Sequence, residues 1–171
     1  MSRKVRYFVE GDCEKKFLRT FIYDEELFLP GKIHIINFVG TKINPSLAKT
    51  ILNDTTVVIV IDTDVDNIDT LEDNLKLLTK YAGNHIKEII LVLSVDNFED
   101  ELVYSCDGIN KIDELFKTKG TKEFKNKFIR YDNLQSKLLN SGFKIEKIWS
   151  RSPKEPFNKY ENGGHKIKLT K

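Results

Sequence analysis

Val57–Asp66 reads VVIVIDTDVD: an unbroken apolar, mostly β-branched run that gives way to Asp62, Asp64 and Asp66, spaced two apart. A run of this kind, too short for a helix and rich in Val and Ile, fits a strand buried on both faces of a parallel sheet. Side chains two apart on an extended chain face the same way, so Asp62 and Asp64 are expected to point to one place if the backbone stays extended through Thr63. Like charges at contact distance need a proton or a cation between them.

The flanking sequence repeats one alternation. Val5–Val9 is a strand candidate followed by Gly11 and by Phe17, Leu18, Phe21 and Ile22 at helical spacing. Ile33–Phe38 is a second strand, Ile43–Leu52 a short helix with Pro45 in its first turn, and Val57–Ile61 the third strand. Ile68, Leu71, Leu75 and Leu78 mark an amphipathic helix before a fourth strand, Glu88–Leu93. Strands alternating with helices predict an α/β, Rossmann-like, doubly wound and mainly parallel sheet over residues 1–104. Residues 105–171 read as a basic helical extension on the same domain, with helices near Ile109–Phe116, Lys122–Phe128 and Tyr131–Asn140, and a last strand from Phe143 to Trp149.

Composition narrows the function classes. The chain has 171 residues, 40% hydrophobic, enough for one real core. No apolar run reaches the roughly 18 to 20 residues of a membrane span, and the start lacks a signal peptide's pattern, so a cytoplasmic protein is expected. Cys13 and Cys106 form no CxxC and read as buried thiols. His34, His85 and His165 are scattered without ligand spacing. The net charge of +2 conceals a segregation: residues 1–102 carry 12 Lys+Arg against 18 Asp+Glu, and residues 103–171 carry 16 against 8. An acidic half suits a divalent cation and a basic half a polyanion.

In an open parallel sheet, ligands bind beyond the carboxyl ends of the strands. Glu10 ends the first strand, Asp62 and Asp64 the third, and Glu99, Asp100 and Glu101 follow the fourth; Glu14 falls in the first turn of the first helix. Hard oxygen donors without Cys or His favour Mg²⁺ or Mn²⁺ over Zn²⁺. Helix capping accounts for Asp12, for Asp66 or Asn67, and for Asp96, and the D-x-x-E spacing of Asp96 to Glu99 fits a capping box. It does not account for Glu10, Asp62 and Asp64 together.

Val9–Glu14 (VEGDCE) after one strand and IDTDVD after a later one resemble the signature of Toprim domains, closest to small stand-alone Toprim proteins and the nucleases of the overcoming-lysogenization-defect family. The resemblance covers about Arg3 to Tyr104 and implies a Mg²⁺-dependent nuclease, cytoplasmic, acting on DNA or RNA as a subunit of an antiviral defence assembly with a partner ATPase. Glu10, Asp62 and Asp64 match that family's catalytic acids and would bind one metal, with Glu14 and Glu99 helping to hold a second. Lys154 is the expected catalytic lysine, ahead of Lys159 and Lys166. A nucleophilic tyrosine cannot be assigned, which argues against topoisomerase activity.

Thr118–Tyr131 interleaves five basic residues with three aromatics. Lys122, Lys125, Lys127 and Arg130 are the expected phosphate contacts, while Phe124 and Phe128, four apart, read as the buried stripe of a helix. Three rival readings stand beside the nuclease. One is a Toprim-like module that binds nucleic acid or an ATPase without cutting. Another is a receiver-like phosphoacceptor built on Asp62, Ser94 and Lys154. The third, a haloacid-dehalogenase-type D-x-D, requires the motif after the first strand, and here two strands precede it.

Overall fold

The computed structural model describes residues 4–23 and 26–169. Four strands, β1 (Lys4–Val9), β2 (Lys32–Ile35), β3 (Thr55–Asp62) and β4 (Ile86–Ser94), form one all-parallel sheet in the order β2-β1-β3-β4. Helices α1 (Asp12–Tyr23), α2 (Pro45–Lys49) and α3 (Asp69–Ala82) connect them. The fold is thus α/β with a Rossmann-like doubly wound sheet, as the alternation predicts.

Strand alternation builds a core on each side. Val5, Tyr7 and Val9 of β1, with Val58 and Val60 of β3, pack against Phe17, Leu18 and Phe21 of α1. Phe8, Val57, Ile59 and Ile61 face the other way, onto Ala48 of α2 and Leu71 and Leu78 of α3. Buried Asn74 of α3 pins the loop after β2, accepting from the Ile43 amide and donating to the Phe38 and Thr41 carbonyls.

After β4 come α4 (Phe98–Ser105), α5 (Ile112–Phe116), α6 (Thr121–Arg130) and α7 (Leu134–Asn140), then a 3-10 turn (Phe157–Lys159) and α8 (Gly164–Ile167). Phe124, Phe128, Leu138, Phe143 and Trp149 join the α1-side core, with Phe17 5.7 Å from Phe143 and 5.6 Å from Trp149, ring to ring. The first core is therefore shared by residues on both sides of the 104/105 boundary.

The expected last strand is a correction. Residues 143–149 make one antiparallel bridge, Phe143 to Cys106, and then turn. The β4 edge that a fifth strand would need is taken by the C-terminal segment. The Gly163 amide donates to the Leu91 carbonyl, and the Asn162 side chain pairs with both the amide and the carbonyl of Leu93. A Cβ at Gly163 would stand 2.4 Å from Ile90 Cγ2, so that approach needs glycine. The capping box is also corrected. Asp96 has φ +66°, and Asn97 caps α4 by accepting from the Asp100 amide. At α3 the Asn67 side chain, not that of Asp66, accepts the Asp69 amide.

Candidate functional site

The chain reverses its strand order between β1 and β3, because β2 lies beyond β1 on one side and β3 on the other. Loops leaving these two strands diverge and open a crevice at their carboxyl ends, where open α/β sheets bind ligands. Glu10 leaves β1 and Asp62 ends β3 at this point.

Asp62 pairs in register with Ser94, the last residue of β4. Its Oδ1 is buried and has no hydrogen-bond partner. Burial, then the charges of Glu14 and Glu10, push the Asp62 carboxyl up to about 9, against a hydrogen bond from the Ser94 side chain. Ser94 Oγ in turn accepts from the Trp149 indole N–H at 3.3 Å. Glu10 is pushed up to about 7, chiefly by burial, although its carboxylate accepts the Asp62 amide; Glu14 and Asp64 raise it further and Lys125 lowers it. Glu14, only 5% exposed, is also raised by burial and by Glu99.

Thr63 holds this edge in shape. Its amide donates to the carbonyls of Ser94 and Asp96, and its hydroxyl donates to the Ser94 carbonyl at 2.9 Å and accepts the Asp96 amide at 3.1 Å. The chain stays tied to β4 past the end of β3, and Asp64 emerges exposed. With Glu10, Asp64 lines a cleft of about 780 Å³ whose other acids include Asp66, Asp69 and Asp73. Lys42, its one cation among the described lining residues, pairs with Asp73 at 3.5 Å. Such a cleft attracts cations and repels a bare phosphate.

Glu99, in the first turn of α4 and 9% exposed, pairs with Lys125 of α6 at 3.1 Å. Lys125 is the cation that acts on Glu10 and Glu14 as well. Lys154 is largely exposed and lies 3.4 Å from Asp96, whose amide donates to the hydroxyl of Thr63, between Asp62 and Asp64. Lys159 pairs with Glu72, and Lys166 with Glu88 and Glu161. Lys122, Lys127 and Arg130 lie exposed on α6, Lys127 against Glu123, while Phe124 and Phe128 are fully buried and unable to stack on bases.

Glu101 has a structural task that sequence reasoning did not separate from its neighbours. Fully buried, it accepts the amides of Val95 and Trp149 and a paired contact from Arg151, whose nearest nitrogen lies at 2.7 Å. It thereby ties the segment carrying Trp149 to the end of β4. Cys13 and Cys106 are buried and free, with thiols pushed up to about 12 by burial, which makes them inert.

The acids converge as a field more than as a finished coordination shell. Among the described residues, no group of three or more His, Cys, Asp or Glu side chains is arranged to hold a metal ion as it stands. The donor chemistry still suits a hard cation: the oxygens of Asp62, Glu10, Glu14 and Glu99 come with no nitrogen or sulfur ligand, and Asp62 Oδ1 is an orphaned buried acceptor. Without a cation, the same conflict is met by a proton on Asp62. Among the described residues no helix is long and apolar enough to cross a membrane. No family model, curated protein or solved structure matches this chain.

Proposed function

We propose that this chain is a Toprim-like, Mg²⁺- or Mn²⁺-dependent enzyme that cleaves phosphodiester bonds in nucleic acid. The observation that carries the reading is the unpartnered, buried Asp62 Oδ1 at the β1/β3 crevice, with Glu10 and Glu14 both acting on it. A divalent cation bound there would supply charge for a phosphate in the transition state and lower the pKa of a water nucleophile. Asp62 and Glu10 would hold it, with Asp64, Glu14 and Glu99 completing the oxygen set. Ser94, itself fixed by Trp149, orients Asp62. If Glu10 does not bind the metal, its carboxyl, pushed up to about 7 chiefly by burial, is instead suited to take or give a proton near neutrality. Lys154 remains the cation that the resemblance assigns to the phosphate, and Lys125, paired with Glu99 at the acid cluster, is a second candidate for that role.

A second reading is a non-cleaving module that binds nucleic acid or a partner ATPase. A proton on Asp62, whose carboxyl is pushed up to about 9, meets the repulsion without a metal, and this favours it. The receiver reading loses support, since Ser94 stands beside Asp62 but Lys154 is engaged by Asp96. A cytoplasmic antiviral assembly rests on the resemblance alone.

The test is Mg²⁺- or Mn²⁺-dependent cleavage of a mixed DNA and RNA panel, with Glu10→Gln prepared alongside. Cleavage by the wild type that the variant lacks supports the enzyme. Metal binding without cleavage by either protein supports the module.

A further inference from the structure

The sequence places positive charge in the C-terminal half, but the fold engages much of it: Lys125, Lys144, Lys147, Lys154, Lys159 and Lys166 each pair with a carboxylate. A different basic face is left open around α1 and the edge strand β2. Lys15, Lys16 and Arg19 of α1 line a groove of about 500 Å³. Arg6, Lys32 and His34 line a second hollow of about 540 Å³ over β1 and β2. Among the described residues, Lys15, Lys16, Arg19 and Lys32 have no ion-pair partner, and Asp12 is the one acid lining either hollow.

Tyr23, the last residue of α1, borders both hollows and is 60% exposed. Its hydroxyl donates to the Gly31 carbonyl at 3.0 Å, which holds the ring in place. A large aromatic ring fixed in solvent between two sets of cations is a poor arrangement for a core and a good one for stacking a base between phosphate contacts. The two hollows also act as one field. The His34 ring sits below its usual pKa, first through burial and then through Arg6, Lys32 and Lys15, cations from three different elements. Lys15 directly follows Glu14, so this face borders the carboxylate cluster.

We propose that this face binds single-stranded nucleic acid, with phosphates against Lys15, Lys16, Arg19 and Lys32 and a base stacked on Tyr23. The inference rests on the nucleic-acid reading of the carboxylate site and moves the binding surface from α6 to α1 and β2. The acidic run Asp24-Glu25-Glu26 follows Tyr23 in sequence, Asp24 and Glu25 lying outside the described residues, so the measurement must report the net field.

The experiment is fluorescence anisotropy of a labelled single-stranded oligonucleotide of about 16 nucleotides, in EDTA, across a salt series. Lys15→Gln with Arg19→Gln and Lys32→Gln should weaken binding at least tenfold and reduce the slope of log affinity against log salt by about 2. Tyr23→Ala should weaken it by about 5- to 100-fold, and Tyr23→Phe, which keeps the ring but loses its tether to Gly31, should lose measurably less than Tyr23→Ala. The α6 control, Lys122→Gln with Lys127→Gln, should bind nearly as wild type. Unchanged affinity and slope in the triple variant, loss in the α6 control instead, or a wild type that binds acidic peptide but no oligonucleotide would each overturn the proposal. The arms separate the two claims: cleavage with unaltered binding by the triple variant removes this face and leaves the nuclease, whereas binding lost in the variant without cleavage by the wild type does the reverse.

Discussion

The Lys125 ammonium of α6 lies 3.1 Å from the Glu99 carboxylate of α4, and so joins the basic half of the chain to the acid cluster at the sheet edge. It is a resident counter-charge in a place where a metal would act as another. Lys125→Met is therefore expected to bind Mn²⁺ about 3- to 10-fold more tightly, since no ammonium competes for Glu99, Glu14 and Glu10. Cleavage should fall by roughly tenfold or more if the same ammonium faces the phosphate. Titration calorimetry beside a turnover assay reads both. Weaker metal binding with unchanged turnover would show that Lys125 only shapes the site.

Asp62 and Glu10 make stability depend on pH in an unusual direction. A free Asp or Glu titrates at about 4, whereas these two hold protons up to about 9 and about 7 in the fold. The folded chain thus binds more protons than the unfolded one across that interval. The stability these groups contribute is complete below about pH 4 and is lost as pH rises through about 7 and then about 9. Asp107, held down to about 2 by Lys144 and Lys147, acts in the opposite sense but only as pH falls from about 4 toward 2. In EDTA the melting temperature should decline from pH 5 to pH 9. Asp62→Asn should flatten the decline and stabilise the protein at pH 8 by about 1–3 kcal/mol. A wild-type melting profile that rises with pH over this range would contradict the buried cluster.

Saturating Mn²⁺ offers a second answer to the same repulsion. At about 100 times its dissociation constant a ligand specific to the folded state adds about 2.7 kcal/mol, so the wild type should regain at pH 8 what it lost, and Asp62→Asn should gain far less. Thermal scans with and without Mn²⁺ check this. Equal gains in both proteins would place the cation elsewhere.

The central strand was legible because a β-branched run such as Val57–Ile61 has few uses other than a buried parallel strand, and short apolar segments alternating with helical spacing supplied its neighbours. Convergence of Glu10, Glu14, Asp62 and Glu99 followed from topology alone. Lys125 was legible as a basic residue of α6 but not as the partner of Glu99: it reaches Glu99 because Phe124 and Phe128 dock α6 on the α1-side core, and one sequence gives no signal for which lysine on a helix will meet a given carboxylate. Phe143–Trp149 has the hydrophobicity of a strand, yet Asn162 and Gly163 take the edge it would have joined. Glu99, Asp100 and Glu101 look alike as letters. Burial gives Glu101 to Arg151 and leaves Glu99 to Lys125.

Arg151 should prove structural. Its guanidinium offers two nitrogens to Glu101 and also donates to the Val95 carbonyl, while its plane lies 4.6 Å over the Tyr104 ring. Removing it strands a fully buried carboxylate. Arg151→Met is expected to cost about 2–4 kcal/mol, toward the low end of such losses because the arginine itself keeps some solvent contact. Urea denaturation measures it, and a change below about 0.5 kcal/mol, usual for surface positions, would mean that Glu101 is satisfied without its cation.

Asn162 closes the free edge of β4 with a side chain instead of a strand. Its amide oxygen accepts from Leu93 at 3.0 Å, and its nitrogen donates to the carbonyls of Leu93 at 2.8 Å and Arg151 at 2.9 Å. Alanine removes these three bonds and a longer one from the Gly164 amide at 3.3 Å, and leaves part-buried backbone groups without partners, at a cost of about 1–3 kcal/mol. The loss should be local before it is global, because Gly163 still donates to Leu91 one step along the edge. Hydrogen exchange distinguishes the two: in Asn162→Ala the Leu93 amide should exchange at least tenfold faster, while Val60 in the sheet interior keeps a protection that falls only with overall stability. If Leu93 and Val60 changed by the same factor, the side chain would be contributing to the whole fold and not sealing its edge.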